Sequence, residues 1–119
     1  MTNVLITGGC GYLGSVMSEH LLDAGYKVTA LDSLLFGQLS NFHLCHNPNY
    51  NFVFGDARDE KLVASLVKKA DVIIPLAAIV GAPACDRDPW ETKSTNFEAI
   101  KMINRMRSPS QLMIYPTLS

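Results

Sequence analysis

The stretch Val4-Leu5-Ile6-Thr7-Gly8-Gly9-Cys10-Gly11-Tyr12-Leu13-Gly14 decides the fold. It passes from a short apolar run, through a glycine turn, into a run that reads as helix. The spaced glycines each have a physical task at such a junction. Gly8 permits a tight turn out of the strand, Gly11 leaves room for a pyrophosphate against the backbone, and Gly14 lets the helix pack closely on the strand. The free N–H groups at the helix start, together with the positive end of its dipole, favour phosphate. Asp32 then closes the next strand at about the expected distance, since the usual carboxylate lies ~20 residues on. A glycine turn that binds nothing has no need of that context. The stretch reads as a dinucleotide site.

Working outward, residues 3–7 read as a buried strand and 11–24 as a helix. Leu13, Val16, Met17, Leu21 and Leu22 form its apolar stripe, and Gly25 is a natural C-cap. Lys27 to Leu31 is a second strand, so the first unit is a right-handed βαβ crossover with parallel strands. Residues 33–51, punctuated by Gly37, Asn41, Asn47, Pro48 and Asn49, read as a surface connection with a short helix near 38–45. Asn51 to Phe54 is a third strand. Residues 59–69 follow as a helix with Leu62, Val63, Leu66 and Val67 on one face. Asp71 to Pro75 is a fourth strand, ended by a proline that cannot donate to a ladder. Residues 90–106 make the longest helix, with Phe97, Ile100, Ile103 and Met106 as its stripe, and Gln111 to Tyr115 is a fifth strand. This alternation predicts an α/β fold, a doubly wound parallel sheet in the order 3-2-1-4-5. Its ligand crevice should lie at the carboxyl ends of strands 1 and 4.

The 119 residues are enough for one domain with a real core, residues 1–119. A net charge of −1 with ten scattered Lys and Arg gives no basic stripe, so nucleic acid is not an expected partner. No apolar run approaches the ~18 residues of a membrane span, and no signal-peptide pattern appears. Three cysteines without a CxxC pair suggest reduced thiols and a cytoplasmic setting. His43, Cys45 and His46 are too few to complete a zinc site, and a polar loop is the favoured reading.

Thr7 to Gly14 resembles the cofactor loop of the extended short-chain dehydrogenase/reductase family, in the branch of NAD-dependent sugar-nucleotide epimerases and dehydratases. The resemblance implies a Rossmann fold holding NAD against Gly8, Gly11, Tyr12, Leu13 and Gly14. Asp32 would bond the adenosine ribose; its carboxylate repels the extra phosphate of NADP, and Ser33 and Leu34 offer no cation to welcome it. Asp56 and Ala57 match the pair that touches adenine, although Asp56 or Asp59 could equally cap the following helix. Leu76, Ala77 and Ala78 match the stretch beneath the ribose and pyrophosphate, with Pro75 as a departure just before it. Asn96 matches the residue that braces this stretch from behind.

Catalysis is where the match stops. The family uses a Tyr-x-x-x-Lys pair on a nucleotide-sugar substrate, and none of the four tyrosines has a lysine four residues on. Thr117 and Ser119 both fall where the family places a catalytic Ser or Thr. The resemblance covers the first five strands and leaves out the substrate domain. The expectation is the NAD-binding portion of an epimerase- or dehydratase-like oxidoreductase, inactive as this chain alone. A non-catalytic dinucleotide-binding or sensor module is the alternative; a thiol sensor at Cys10 is a weaker one. The apolar edge Leu112-Met113-Ile114-Tyr115 is expected to drive self-association.

Overall fold

A computed structural model of the protein describes residues 2–8, 12–33, 42–76 and 100–114. The strands are β1 (Asn3–Thr7), β2 (Lys27–Asp32), β3 (Tyr50–Phe54), β4 (Val72–Pro75) and β5 (Leu112–Met113). The helices are α1 (Tyr12–Asp23), α2 (Glu60–Val67) and α3, the helical residues 100–106. All strand pairs are parallel, in the order β3-β2-β1-β4-β5. That is the predicted topology.

Side chains alternate across the sheet, so each central strand feeds two cores. Val4, Ile6, Val28, Ala30 and Ile74 face one way, where Met17, Leu21 and Leu22 of α1 cover them. Leu5, Leu31 and Ile73 face the other way, against Val63 and Val67 of α2 and Met102 and Ile103 of α3. Helices therefore lie on both faces, as a doubly wound sheet requires. Among the described residues, the expected stripes of α2 and α3 meet the core largely as read.

The face of α1 differs from expectation. Leu13 is 39% exposed, whereas Ser15 and Ser18 are buried beside the expected Gly14 and Leu22. Small side chains line the buried face of the first turn and a half of α1, and Met17, Leu21 and Leu22 carry the contact with the core from there on. A count of apolar residues cannot see a face made of glycine and serine. The hydroxyls of Ser15, Ser18 and Thr7 are buried without a hydrogen-bond partner among the described residues.

The turns follow from local chemistry. Gly25 has φ +94°; its N–H donates to the Leu22 carbonyl at 3.1 Å and that of Tyr26 to Leu21 at 3.0 Å. This is the paired-bond stop that a left-handed glycine provides. Asp59 caps α2, its carboxylate accepting from the Leu62 N–H at 3.2 Å. Between β2 and β3 the described helix is one short 3-10 turn, Phe42–Leu44, so the start of the helix expected near 38–45 lies outside the described residues, as do residues 90–99 of the long one.

One side chain ties the far side of the sheet together. The Gln111 amide donates to the carbonyls of Val67 and Ala70, both at 2.6 Å. Its Oε1 accepts from the Ser108 N–H at 2.8 Å. The Val67 carbonyl already accepts from the Ala70 N–H at 3.1 Å, so Gln111 adds a second donor there and gives one to Ala70, in the turn that follows α2. Replacing Gln111 by Ala removes the donor to the Ala70 carbonyl in a partly buried turn and the second donor to Val67. Urea unfolding of Gln111→Ala is expected to show a loss of about 2 kcal/mol, and an unchanged midpoint would contradict the clamp.

Candidate functional site

The sequence-read residues that fall within the described regions converge on one edge of the sheet. Three backbone hydrogen bonds extend the ladder beyond the strand ends. The Gly8 N–H donates to the Leu31 carbonyl at 2.6 Å, the Gly55 N–H to Asp32 at 3.0 Å, and the Leu76 N–H to Thr7 at 2.7 Å. The carboxyl ends of β3, β2, β1 and β4 are thereby held in one row. Gly55, Asp32, Gly8 and Leu76 stand along it in spatial order.

Gly8 has φ +78°, the left-handed region that a side chain disfavours, so the turn out of β1 needs glycine as read. Tyr12 opens α1, Leu13 is partly exposed beside it, and Gly14 is buried in its first turn. Asp32 is the last residue of β2. Leu76 is 6% exposed and follows β4 directly. Asp56 and Ala57 follow β3, both half-buried. Gly11, Ala77, Ala78, Asn96, Thr117 and Ser119 lie outside the described residues.

The described helix that follows β1 and the one that precedes β5 lie on opposite faces. α1 packs with the Val4 and Ile6 side of the sheet, and α3, ahead of β5, packs with the Leu5 side. A sheet that splits its connections this way opens a crevice at the carboxyl edge between the two strands. A helix whose first turn is lined by Gly14 and Ser15 brings its N-terminus close to that crevice. The row of residues and the crevice together suit an extended ligand carrying phosphate near α1 and hydroxyls near Asp32.

Asp56 has a partner that sequence reading missed. Its carboxylate accepts from Arg58 three ways: the guanidinium Nη2 at 2.8 Å, Nε at 3.2 Å and the backbone N–H at 2.8 Å. The cap of α2 belongs to Asp59, so the two readings of Asp56 separate, and capping is not its task. The side-chain bond from Arg58 lowers the Asp56 pKa below its ordinary 3.8, outweighing the partial burial that pushes it up; the Arg58 backbone N–H and charge add to the lowering. Both side chains are about half exposed, so solvent screening leaves the pair worth roughly 0–1 kcal/mol. The available signal was the arginine two residues after an aspartate in a turn.

Elsewhere, His43 faces Glu19 at 3.5 Å on the surface. Among the described residues no cluster of His, Cys, Asp or Glu is placed to hold a metal, and no helix is long and apolar enough to cross a membrane. A depression of about 330 Å³, lined in part by Asn3, Lys27, Asn49 and Lys69, opens at the amino ends of the strands. That is the edge away from the crevice.

The model of the NAD dependent epimerase/dehydratase family matches residues 4–108. The chain belongs to that family. Among curated proteins it is 46% identical over 80 residues to the low-salt glycan biosynthesis protein Agl12 of Haloferax volcanii, covering 64% of this chain and 26% of that one. It is 33% identical over 99 residues to a UDP-N-acetyl-alpha-D-glucosaminuronate decarboxylase of Bacillus cytotoxicus, covering 83% and 30%. The dTDP-glucose 4,6-dehydratase of Streptomyces venezuelae, solved with NAD bound, superposes with a TM-score of 0.76 at 27% identity, covering 87% of this chain and 34% of that one. The chain spans about a quarter to a third of the length of these relatives.

The Asp56–Arg58 contact makes a pH prediction. With its folded pKa lowered, Asp56 stabilises the fold fully above its unfolded value, and that contribution is lost as pH falls through the folded value. A carboxyl-carbon NMR titration should place Asp56 below the usual range, and Arg58→Met should move it back up. An Asp56 unmoved by that change would contradict the pairing.

Proposed function

We propose that this chain is the NAD-binding portion of an oxidoreductase of the epimerase or dehydratase type, acting in the cytoplasm on a nucleotide sugar. The observation that carries this reading is the row of Gly8, Asp32, Gly55 and Leu76 at the crevice, in a chain of this family. The names of the relatives, a decarboxylase and a dehydratase of nucleotide sugars, support the substrate class.

The residues fit the cofactor. Gly8 turns the chain, Gly11 leaves room for the pyrophosphate and Gly14 lets α1 pack closely, so that the free backbone N–H groups at the helix start, at Tyr12 and Leu13, face the phosphates. Asp32 accepts hydrogen bonds from the adenosine ribose hydroxyls and disfavours a phosphate there. Asp56 and Ala57 meet adenine, Leu76, Ala77 and Ala78 run beneath the ribose, and Asn96 braces that stretch. Bound NAD supplies reversible hydride acceptance. Arg58, held by Asp56, has its charge matched and is poorly placed to recruit the additional phosphate of NADP.

Acid–base work needs a placed and tuned group. Residues 1–119 contain no Tyr-x-x-x-Lys, and Thr117 or Ser119 alone does not replace it, so this chain by itself should not turn over. That same observation favours a second reading, a non-catalytic dinucleotide-binding or sensor module. The two part on whether hydride transfer appears when the pair is supplied by a longer polypeptide.

Calorimetric titration of the chain should show saturable NAD binding, tighter than NADP. Asp32→Ala should weaken NAD by roughly 10- to 100-fold, the loss of hydrogen bonds to a charged group. A cooperative melt without NAD binding would overturn both readings. Separately, we propose that β5 pairs with a second copy: Leu112 is 57% and Ile114 44% exposed on an outer strand. Sedimentation velocity should show a dimer growing with concentration, and a clean monomer at high concentration would refute it.

A further inference from the structure

Phe54 is 68% exposed, the most exposed large apolar side chain among the described residues. A single exposed apolar residue is ordinary; its position is what matters. Phe54 is the last residue of β3, an outer strand, and it is the register partner of Asp32. Tyr50 and Phe52 face the α1 side of the sheet, and so do Val28 and Ala30. With alternation, Phe54 and Asp32 project from that same face, on strands about 4.8 Å apart.

The backbone at this point is held. The Gly55 N–H bonds the Asp32 carbonyl at 3.0 Å, and a Cβ on Gly55 would run into the Leu62 side chain of α2. Phe54 is therefore fixed immediately outside Asp32 and two residues before Asp56. Along the crevice the order becomes glycine turn, carboxylate, aromatic ring.

We infer that the Phe54 ring is a binding residue for the adenosine half of the dinucleotide, closing the outer flank of the subsite whose ribose end is Asp32. This rests on the reading of the carboxyl edge as the NAD site. A flat, apolar ring beside a carboxylate suits a nucleoside, which presents hydroxyls to the acid and an aromatic base to the ring. It does not suit a second phosphate, which needs a cation. Contact of one base with an aromatic side chain changes affinity by a factor of about ten or more.

The test is calorimetry with NAD and with ADP-ribose on the 119-residue chain, on Phe54→Ser and on Phe54→Tyr. Phe54→Ser should weaken both ligands about tenfold and by the same factor, with the melting temperature unchanged. Phe54→Tyr, which keeps the ring, should bind within about twofold of the parent. Phe54→Ser binding as tightly as the parent would overturn the inference while leaving the NAD site standing. A parent chain that binds neither ligand would overturn both.

Discussion

The structure depends on β1 being paired on both sides while its alternate residues are buried on both faces. Leu5 and Ile6 are neighbours in sequence, yet each anchors a different core. Because parallel strands cannot be joined by a hairpin, every connection must cross a face of the sheet. Covering β1's connection on one face and β5's on the other is what opens a crevice between β1 and β4, and the crevice is bounded by the residues at which the strands end. The site is thus a by-product of topology. Its chemistry is then set by what sits at the few turn positions.

Much of this was legible in the sequence because it is local. A buried strand running into Gly8, a carboxylate ending β2 and a proline ending β4 each announce themselves within a few residues. Alternation of strand and helix gives the parallel sheet, and the order of its strands follows the doubly wound pattern of dinucleotide folds. Gly25 is similarly readable, since little else ends a helix in a left-handed turn at low cost.

What escaped notice depends on three-dimensional neighbours. The inner face of α1 includes Ser15 and Ser18, and hydropathy assigns such residues no preference for a core. The engagement of Asp56 by Arg58 distinguishes it from Asp59, although both are aspartates near the same helix start. Phe54 reads as an ordinary strand residue until the register places it beside Asp32 at the sheet's margin. In each case the missing information was which face, or which neighbour, and not which residue.

The Gln111 side chain joins a helix end to a turn across 41 and 44 residues of chain. That reach has a dynamic consequence. The last turn of α2 cannot fray while β5 stays docked, and β5 cannot peel away without exposing the carbonyls of Val67 and Ala70. The two form one unit of local unfolding, so their amides should exchange with solvent at a shared rate. An outer strand of only two residues thereby shares the persistence of the helix behind it.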